Sequence, residues 1–319
     1  SSDGRNLTST TDARGNTTTN TYDSNNRLLT STTDAAGNAT NYTYDSNNDL
    51  LTGVSASAGG QTVSNTYSYT NRFLTGIHHN GFTYSFTYDQ FNNVASTSVG
   101  NQVLSSNTYL PHNGPLSTST YGNGDTVGYT YDNQYRTTGK SYNGQTAFTY
   151  VYDAYGNLAR TTDLVNNITY TYQYDMVGRV TGMDSTQGQT IRIAYDDKNR
   201  TDYVVSKVGG SGTKTQYVYG ETGNGQKAGL IYGVKIDDQN ILSYTYDELA
   251  RTSTRTLDLG TDFTTSYEYL DGNSLGSTTT LVSKMTNGNV SWMYTYDSRG
   301  NIETISRQEG NGEPVQQVK

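Results

Sequence analysis

Short runs in which aromatic or β-branched residues alternate with polar ones recur along the whole chain. Residues 166–188 show the pattern in full. Ile168, Tyr170, Tyr172 and Tyr174 alternate with polar positions, which is the two-residue period of a half-buried strand. Asp175 opens a turn that closes at Gly178-Arg179, Val180 and Met183 lie on a returning segment, and Gln187-Gly188 forms a second turn. Each unit therefore reads as a β-hairpin with a connection to the next. Thr, Val, aromatics and Asn dominate throughout, and these residues favour strands and turns over helices. The expected fold is all-β: tandem hairpins joined in a continuous antiparallel sheet.

The unit repeats. Tyr-Asp occurs at Tyr22-Asp23, Tyr44-Asp45, Tyr88-Asp89, Tyr131-Asp132, Tyr152-Asp153, Tyr174-Asp175, Tyr195-Asp196, Tyr246-Asp247 and Tyr296-Asp297. Degenerate copies stand at Tyr69-Thr70, Tyr109-Leu110, Tyr219-Gly220 and Tyr269-Leu270. From Tyr22 to Tyr296 the mean spacing is about 23 residues, the range of a repeat array. Residues 1–319 are thus expected to form a single array of about 13 hairpins, or about 26 strands.

Each motif residue has a structural reading. An Asp at a turn start accepts hydrogen bonds from backbone amides two or three residues on. The residue four or five after the Tyr is Gly or Asn at Asn26, Asn48, Asn93, Gly156, Gly178, Asn199 and Gly300, types that tolerate the positive φ of a tight turn. Pairs such as Tyr42/Tyr44, Tyr244/Tyr246 and Tyr294/Tyr296 are two apart and share a face. With two strands per unit, equivalent tyrosines recur about every 10 Å, giving an aromatic layer completed only by neighbouring units.

Composition fits this picture. The chain has 30 Tyr but 6 Phe and 1 Trp, and apolar residues make up only 32%. That suits a thin sheet whose phenols find hydroxyl partners better than a thick core. The net charge of −8 comes without basic stripes, so no nucleic-acid partner is expected. Cys is absent, which excludes disulfides and thiolate metal sites. No run approaches the ~20 apolar residues of a membrane-spanning helix, so no membrane insertion is expected. Ser1-Ser2-Asp3-Gly4 already resembles mid-repeat sequence, so the chain is expected to be an internal fragment of an exported protein.

The pattern Tyr-x-Tyr-Asp-x-x-Gly-(Arg/Asn)-(Leu/Val/Ile), at Tyr150 to Leu158, Tyr172 to Val180 and Tyr294 to Ile302, resembles the YD repeat. That repeat characterises rearrangement hotspot (Rhs) proteins, wall-associated proteins of Gram-positive bacteria, the B/C components of insecticidal Tc toxins, and teneurins. The resemblance implies an extracellular or cell-surface location and hairpins wound into a spiral sheet that closes as a hollow shell. In polymorphic toxins such a shell encloses a C-terminal toxin domain; in teneurins it supports cell adhesion. The implied role is a non-catalytic scaffold forming part of a shell wall, with a toxin or other C-terminal domain of the parent protein as partner. Toxin shells also carry an Asp-Pro-x-Gly self-cleavage motif. This chain has no Asp-Pro, so no cleavage residues carry over.

Candidate chemistry is sparse. His78 and His79 are adjacent on a strand before an Asn80-Gly81 turn and point to opposite faces, and His112 lies in the loop Pro111 to Pro115. There is no Gly-x-Ser-x-Gly elbow. Asp196-Asp197, Asp237-Asp238 and Glu268/Asp271 are the nearest carboxylate pairs for glycoside chemistry, and turns explain them. Asp271-Gly272-Asn273-Ser274 and Asp3-Gly4-Arg5-Asn6 lack the spaced acids of a calcium loop. The glycine-rich stretch Gly220 to Gly229 reads as a hairpin loop without a phosphate signature. No catalytic, cofactor or metal residues are assigned. The alternative function is carbohydrate binding or adhesion, with polysaccharide as partner. Trp292, on the face of Tyr294 and Tyr296, is its candidate contact.

Overall fold

Alternation of this kind gives one face to the tyrosines and the other to Thr and Ser, and pairing consecutive segments satisfies their backbone edges. The computed structural model describes residues 4–221 and 225–318. Among these residues there is no helix, and twenty-eight strands belong to one antiparallel sheet that does not close on itself. The strand Ile168–Tyr174 pairs with Val180–Ser185, and that strand with Gln189–Tyr195, as the sequence of residues 166–188 anticipates. The count exceeds the expected 26 because Ser9–Thr11 and Val315–Val318 flank the thirteen motif hairpins.

The chain divides into two compact units. The first comprises Ser1–Thr11, Thr17–Tyr152 and Thr161–Asn167; the second comprises Asp12–Asn16, Asp153–Arg160 and Ile168–Lys319. In each, the Tyr-Asp turns lie on one edge of the sheet and the intervening turns on the other.

Burial is shallow. Ala147 is the sole buried apolar side chain among the described residues, beside the buried polar Ser119, Asp163 and Thr265. Rings meet at Phe73–Tyr88, Tyr232–Tyr246 and Tyr244–Tyr246, with centroids 5.3, 5.1 and 6.4 Å apart. Packing of ring on ring is therefore local. Polar bonds also join hairpin to hairpin along the sheet.

A bulge recurs at the motif. The ladder slips by one residue at Thr21/Tyr22, Thr43/Tyr44, Gln173/Tyr174 and Thr295/Tyr296, and at eight equivalent positions between. The returning strand thus places two residues opposite one, which leaves part of its backbone outside the ladder. The returning strand also carries glycines where the motif strand crowds it. A Cβ on Gly53 would stand 2.7 Å from Thr43 Oγ1, and one on Gly139 would stand 2.6 Å from Thr130 Oγ1.

Candidate functional site

The thirteen motif tyrosines do one thing. Each hydroxyl donates to a backbone carbonyl on the preceding hairpin: Tyr44 to Leu29 (2.9 Å), Tyr69 to Leu51 (2.8 Å), Tyr131 to Leu116 (2.7 Å), Tyr174 to Leu158 (2.9 Å), Tyr246 to Ile231 (2.6 Å) and Tyr296 to Val282 (2.7 Å). Tyr22, Tyr88, Tyr109, Tyr152, Tyr195, Tyr219 and Tyr269 do the same at 2.7–3.0 Å. In eleven of the thirteen the acceptor is the bulge residue: Leu29 is the cross-strand partner of Tyr22, and Leu51 that of Tyr44. A bulge that would strand a carbonyl in one hairpin is satisfied by the tyrosine of the next. Partial burial raises the hydroxyl pKa of Tyr44, Tyr69, Tyr131, Tyr174, Tyr219, Tyr246, Tyr269 and Tyr296, keeping them protonated as donors.

The motif aspartates close the turns. Oδ1 of Asp175 accepts the amides of Val177 (3.0 Å) and Arg179 (2.9 Å), and Oδ2 accepts Arg179 Nε (2.6 Å). Asp132, Asp196 and Asp247 repeat this with Arg136, Arg200 and Arg251. Asp89, Asp153 and Asp297 use Asn93, Asn157 and Asn301 at the same place. Asp23 accepts from Arg27 and Leu28, and Asp45 from Asn47 and Asn48. The Asn157 and Asn301 side chains hold Asp153 and Asp297 below the usual carboxylate pKa, and the Arg179 amide does so for Asp175. At Asp196 and Asp247 burial pushes upward, but hydrogen bonds from Arg200 and Arg251 prevail and the result is lowered.

The arginines reach forward as the tyrosines reach back. Arg136, Arg179, Arg200 and Arg251 each lie over the tyrosine of the following motif, at 4.5, 4.2, 4.2 and 4.2 Å from the rings of Tyr152, Tyr195, Tyr219 and Tyr269. One guanidinium thus fixes its own turn through Nε and the next hairpin through a cation–π contact.

The turn positions differ in detail from the sequence expectation. Positive φ falls at Asn26, Gly156, Gly178, Asn199 and Gly300 as expected, but at Asp49 and Asn92 in place of Asn48 and Asn93. The Tyr44 turn closes from the Asp45 amide to the Leu50 carbonyl with its left-handed residue five after the Tyr, while the Tyr22 turn, of the same length, keeps it four after. The Tyr88 turn has the usual length, so its left-handed residue is four after the Tyr. In two further copies the left-handed residue is Tyr135 or Ala250, types for which that region is uncommon.

Three aspartates were not singled out from the sequence. Asp12 and Asp34 bind the amides of Arg14 and Asn16, and of Ala36 and Asn38, in the same way, on the opposite edge of the sheet. Asp163 similarly accepts Val165 and Asn166. The signal was Asp-x-x-Gly-Asn at 12–16 and 34–38, missed because no Tyr precedes it. Asp163, whose turn has Asn in place of that Gly, carried no such signal.

The other candidates take separate places. His78 lies between Ser68 (3.2 Å) and Thr83 (2.9 Å), while His79 contacts Asn65 and Asn80, on the other face. His112 sits at positive φ in its loop. Asp196 is a turn acid, Asp238 pairs with Lys214 at 2.9 Å, and Glu268 with Lys284 at 3.2 Å. Trp292 is half-buried, opposite Met285 and Arg307 in the ladder. Asp3 and residues 222–224 of the Gly220 to Gly229 stretch lie outside the described residues, as does Lys319. A groove of about 760 Å³ in the second unit is bordered by Val218, Gly233, Ser243, Tyr244, Asp258 and Asp262. No group of three metal-ligating side chains occurs among the described residues.

The RHS repeat family model matches residues 1–39 and 22–62, the stretch that holds the Asp12, Asp23, Asp34 and Asp45 turns. Over those first 62 residues the chain is similar to the RHS repeat. The turn-and-tyrosine geometry of those first RHS hairpins continues through the copies after residue 62. Comparison with curated proteins finds no match. Among solved structures, TcdB2-TccC3 is similar with a TM-score of 0.49 and 16% identity, over 95% of this chain and 16% of that one. TcdB2-TccC3-Cdc42 is similar with a TM-score of 0.48 and 15% identity, over 97% of this chain and 16% of that one. The chain spans about a sixth of the length of both.

Proposed function

We infer that residues 1–319 form one continuous, non-catalytic RHS array acting as a section of structural wall. The parent would be a secreted or cell-surface RHS-type protein, and the wall would enclose or display another domain of that polypeptide, such as a toxin. One observation carries the reading. The chemical groups of the repeat are consumed by the repeat itself: the phenol by the preceding hairpin, the carboxylate by its own turn, the guanidinium by the following hairpin. Such nearest-neighbour bonding suits a surface extended by adding units.

The test uses the parent polypeptide under limited proteolysis, with and without a cut introduced in the array. In the enclosing role, the neighbouring domain resists protease until the array is opened. In the displaying role, it is cut at the same rate in both, while the array itself persists as a resistant fragment. Degradation of the array ahead of its neighbour would overturn the scaffold reading altogether.

A further inference from the structure

The guanidinium groups of the motif turns are taken up by the sheet itself. Arg136, Arg179, Arg200 and Arg251 each hold a turn carboxylate and cover a tyrosine ring. Arg14, in an intervening turn, donates through Nη2 to the carbonyls of Tyr296 (2.9 Å) and Asp297 (2.6 Å). Arg255 is different. It is exposed, and among the described residues it has no hydrogen bond, ion pair or ring contact.

Its place in the ladder makes this unusual. Arg255 stands directly opposite Tyr244, the first tyrosine of its motif. Elsewhere that position carries an apolar side chain: Val54, Ile77, Met183, Val234, Met285 and Ile305 stand opposite Tyr42, Tyr67, Tyr172, Tyr217, Tyr267 and Tyr294. Lys140, opposite Tyr129, also departs from the rule, but its ammonium lies 4.9 Å from the centre of the Tyr142 ring. Arginine at this place gives up the cross-strand packing of an apolar residue on a ring, and no contact within the sheet offsets the loss. Arg255 borders a recess of about 360 Å³ together with Tyr244, Thr252, Tyr267, Tyr269 and Val282. The Tyr269 hydroxyl is bound to the Thr252 carbonyl at 2.8 Å, whereas those of Tyr244 and Tyr267 make no hydrogen bond among the described residues. One guanidinium and two unused phenols thus share a single recess in the second unit.

We propose that this recess binds a carboxylate on an apolar stem. The Arg255 fork takes both oxygens, the Tyr244 and Tyr267 hydroxyls donate to their remaining lone pairs, and the stem lies against Val282 and the Tyr269 ring. Charge selects the ligand. A single guanidinium balances one negative charge, and in a chain of net charge −8 a phosphate dianion or a polyanion would keep an unbalanced charge at the site. The carboxylate belongs to a free organic acid or to a glutamate side chain of a peptide, both of which are of a size for such a recess.

Ligand-observed NMR titration of the full chain, with phenylacetate in one arm and a capped glutamate tripeptide in the other, separates the two sources. At least one of them binds, and the tighter is the source. Phenylacetamide, the matching glutamine tripeptide and inorganic phosphate each bind about tenfold more weakly or not at all. Arg255→Met puts at this position the residue type of Met183 and Met285, so the variant folds with unchanged far-UV circular dichroism and melts no lower than the wild type. It loses about tenfold or more in carboxylate affinity. The double variant Tyr244→Phe/Tyr267→Phe keeps the guanidinium and loses several-fold. The proposal is overturned if neither carboxylate binds, if an amide or phosphate binds as tightly, or if Arg255→Met keeps its affinity. A lower melting temperature for Arg255→Met overturns it too, since the arginine would then be serving the fold.

Discussion

In the first unit, the fourteen strands from Ser9–Thr11 to Gln145–Tyr152 contain one charged side chain, Lys140. In the second, the thirteen strands from Ile168–Tyr174 to Val315–Val318 contain fifteen. The face opposite the motif tyrosines shows the contrast. In the first unit it is lined by paired hydroxyls, among them Thr21–Thr30, Thr43–Thr52, Thr87–Ser96 and Thr130–Thr138. In the second it adds ion pairs, with Arg192 at 2.7 Å from Asp184 and Lys284 at 3.2 Å from Glu268. The turns and tyrosine bonds are alike in both. The motif is therefore enough to specify the hairpin and its link to the last one, and the composition of the other face is free to vary.

The largest test of that likeness is acid. The turn carboxylates of both units, among them Asp23, Asp132, Asp175 and Asp297, are held below the usual value of 3.8. A depressed native pKa means the stability these groups contribute is complete above the unfolded value and is lost as pH falls through the native one. Hydrogen exchange read separately over the two units will show both opening together below about pH 3.8. If one unit survives well below the other, the shared turn is not what holds them. The tyrosines act at the alkaline end with the opposite sign. Their raised pKa values give stability that is whole below about pH 10 and lost as pH climbs beyond it. Tyrosinate absorbance and circular dichroism should therefore change in one cooperative step.

Single substitutions sharpen the comparison. Asp132→Ala in the first unit and Asp175→Ala in the second each release two backbone amides and an arginine. Both will lower the melting temperature by several degrees and by similar amounts in scanning calorimetry. Tyr44→Phe and Tyr246→Phe remove one hydroxyl and leave a carbonyl unpaired, at a cost of about 1 kcal/mol each by denaturant titration. A marked inequality within either pair would show that the surroundings outweigh the motif. The smallest effect separates the units. Arg251→Gln loses a stacked, partly exposed ion pair worth about 0.5 kcal/mol. At 1 M salt, where screening acts within about 3 Å, exchange protection will fall further in the second unit than in the first, which holds the Arg27–Asp49 and Arg136–Asp132 pairs but few others.

Much of this was readable in the residues. The period of two placed the strands, and Tyr-Asp-x-x-Gly placed the turns, because both depend on neighbours a few residues away. The positive φ at Asp49 and Asn92 is not legible in the spacing, since Asn stands both four and five places after Tyr88, and the Tyr22 and Tyr44 turns, equal in length, place it differently. Asp12 and Asp34 lie in Asp-x-x-Gly-Asn turns that no tyrosine precedes, so the Tyr-Asp pattern does not reach them.

By itself the sequence determined the repeat, the alternation of faces and the turn carboxylates, all matters of local spacing and backbone preference. Only the tertiary structure decided where each hydroxyl and guanidinium goes. Tyr174 meets Leu158 sixteen residues back, and Arg179 meets Tyr195 sixteen residues on, because each hairpin is laid beside the last in the sheet. The seating of Arg14 on Tyr296 and Asp297 lies still further from local pattern. No spacing rule links residues 282 apart; the sheet has to form before they can meet.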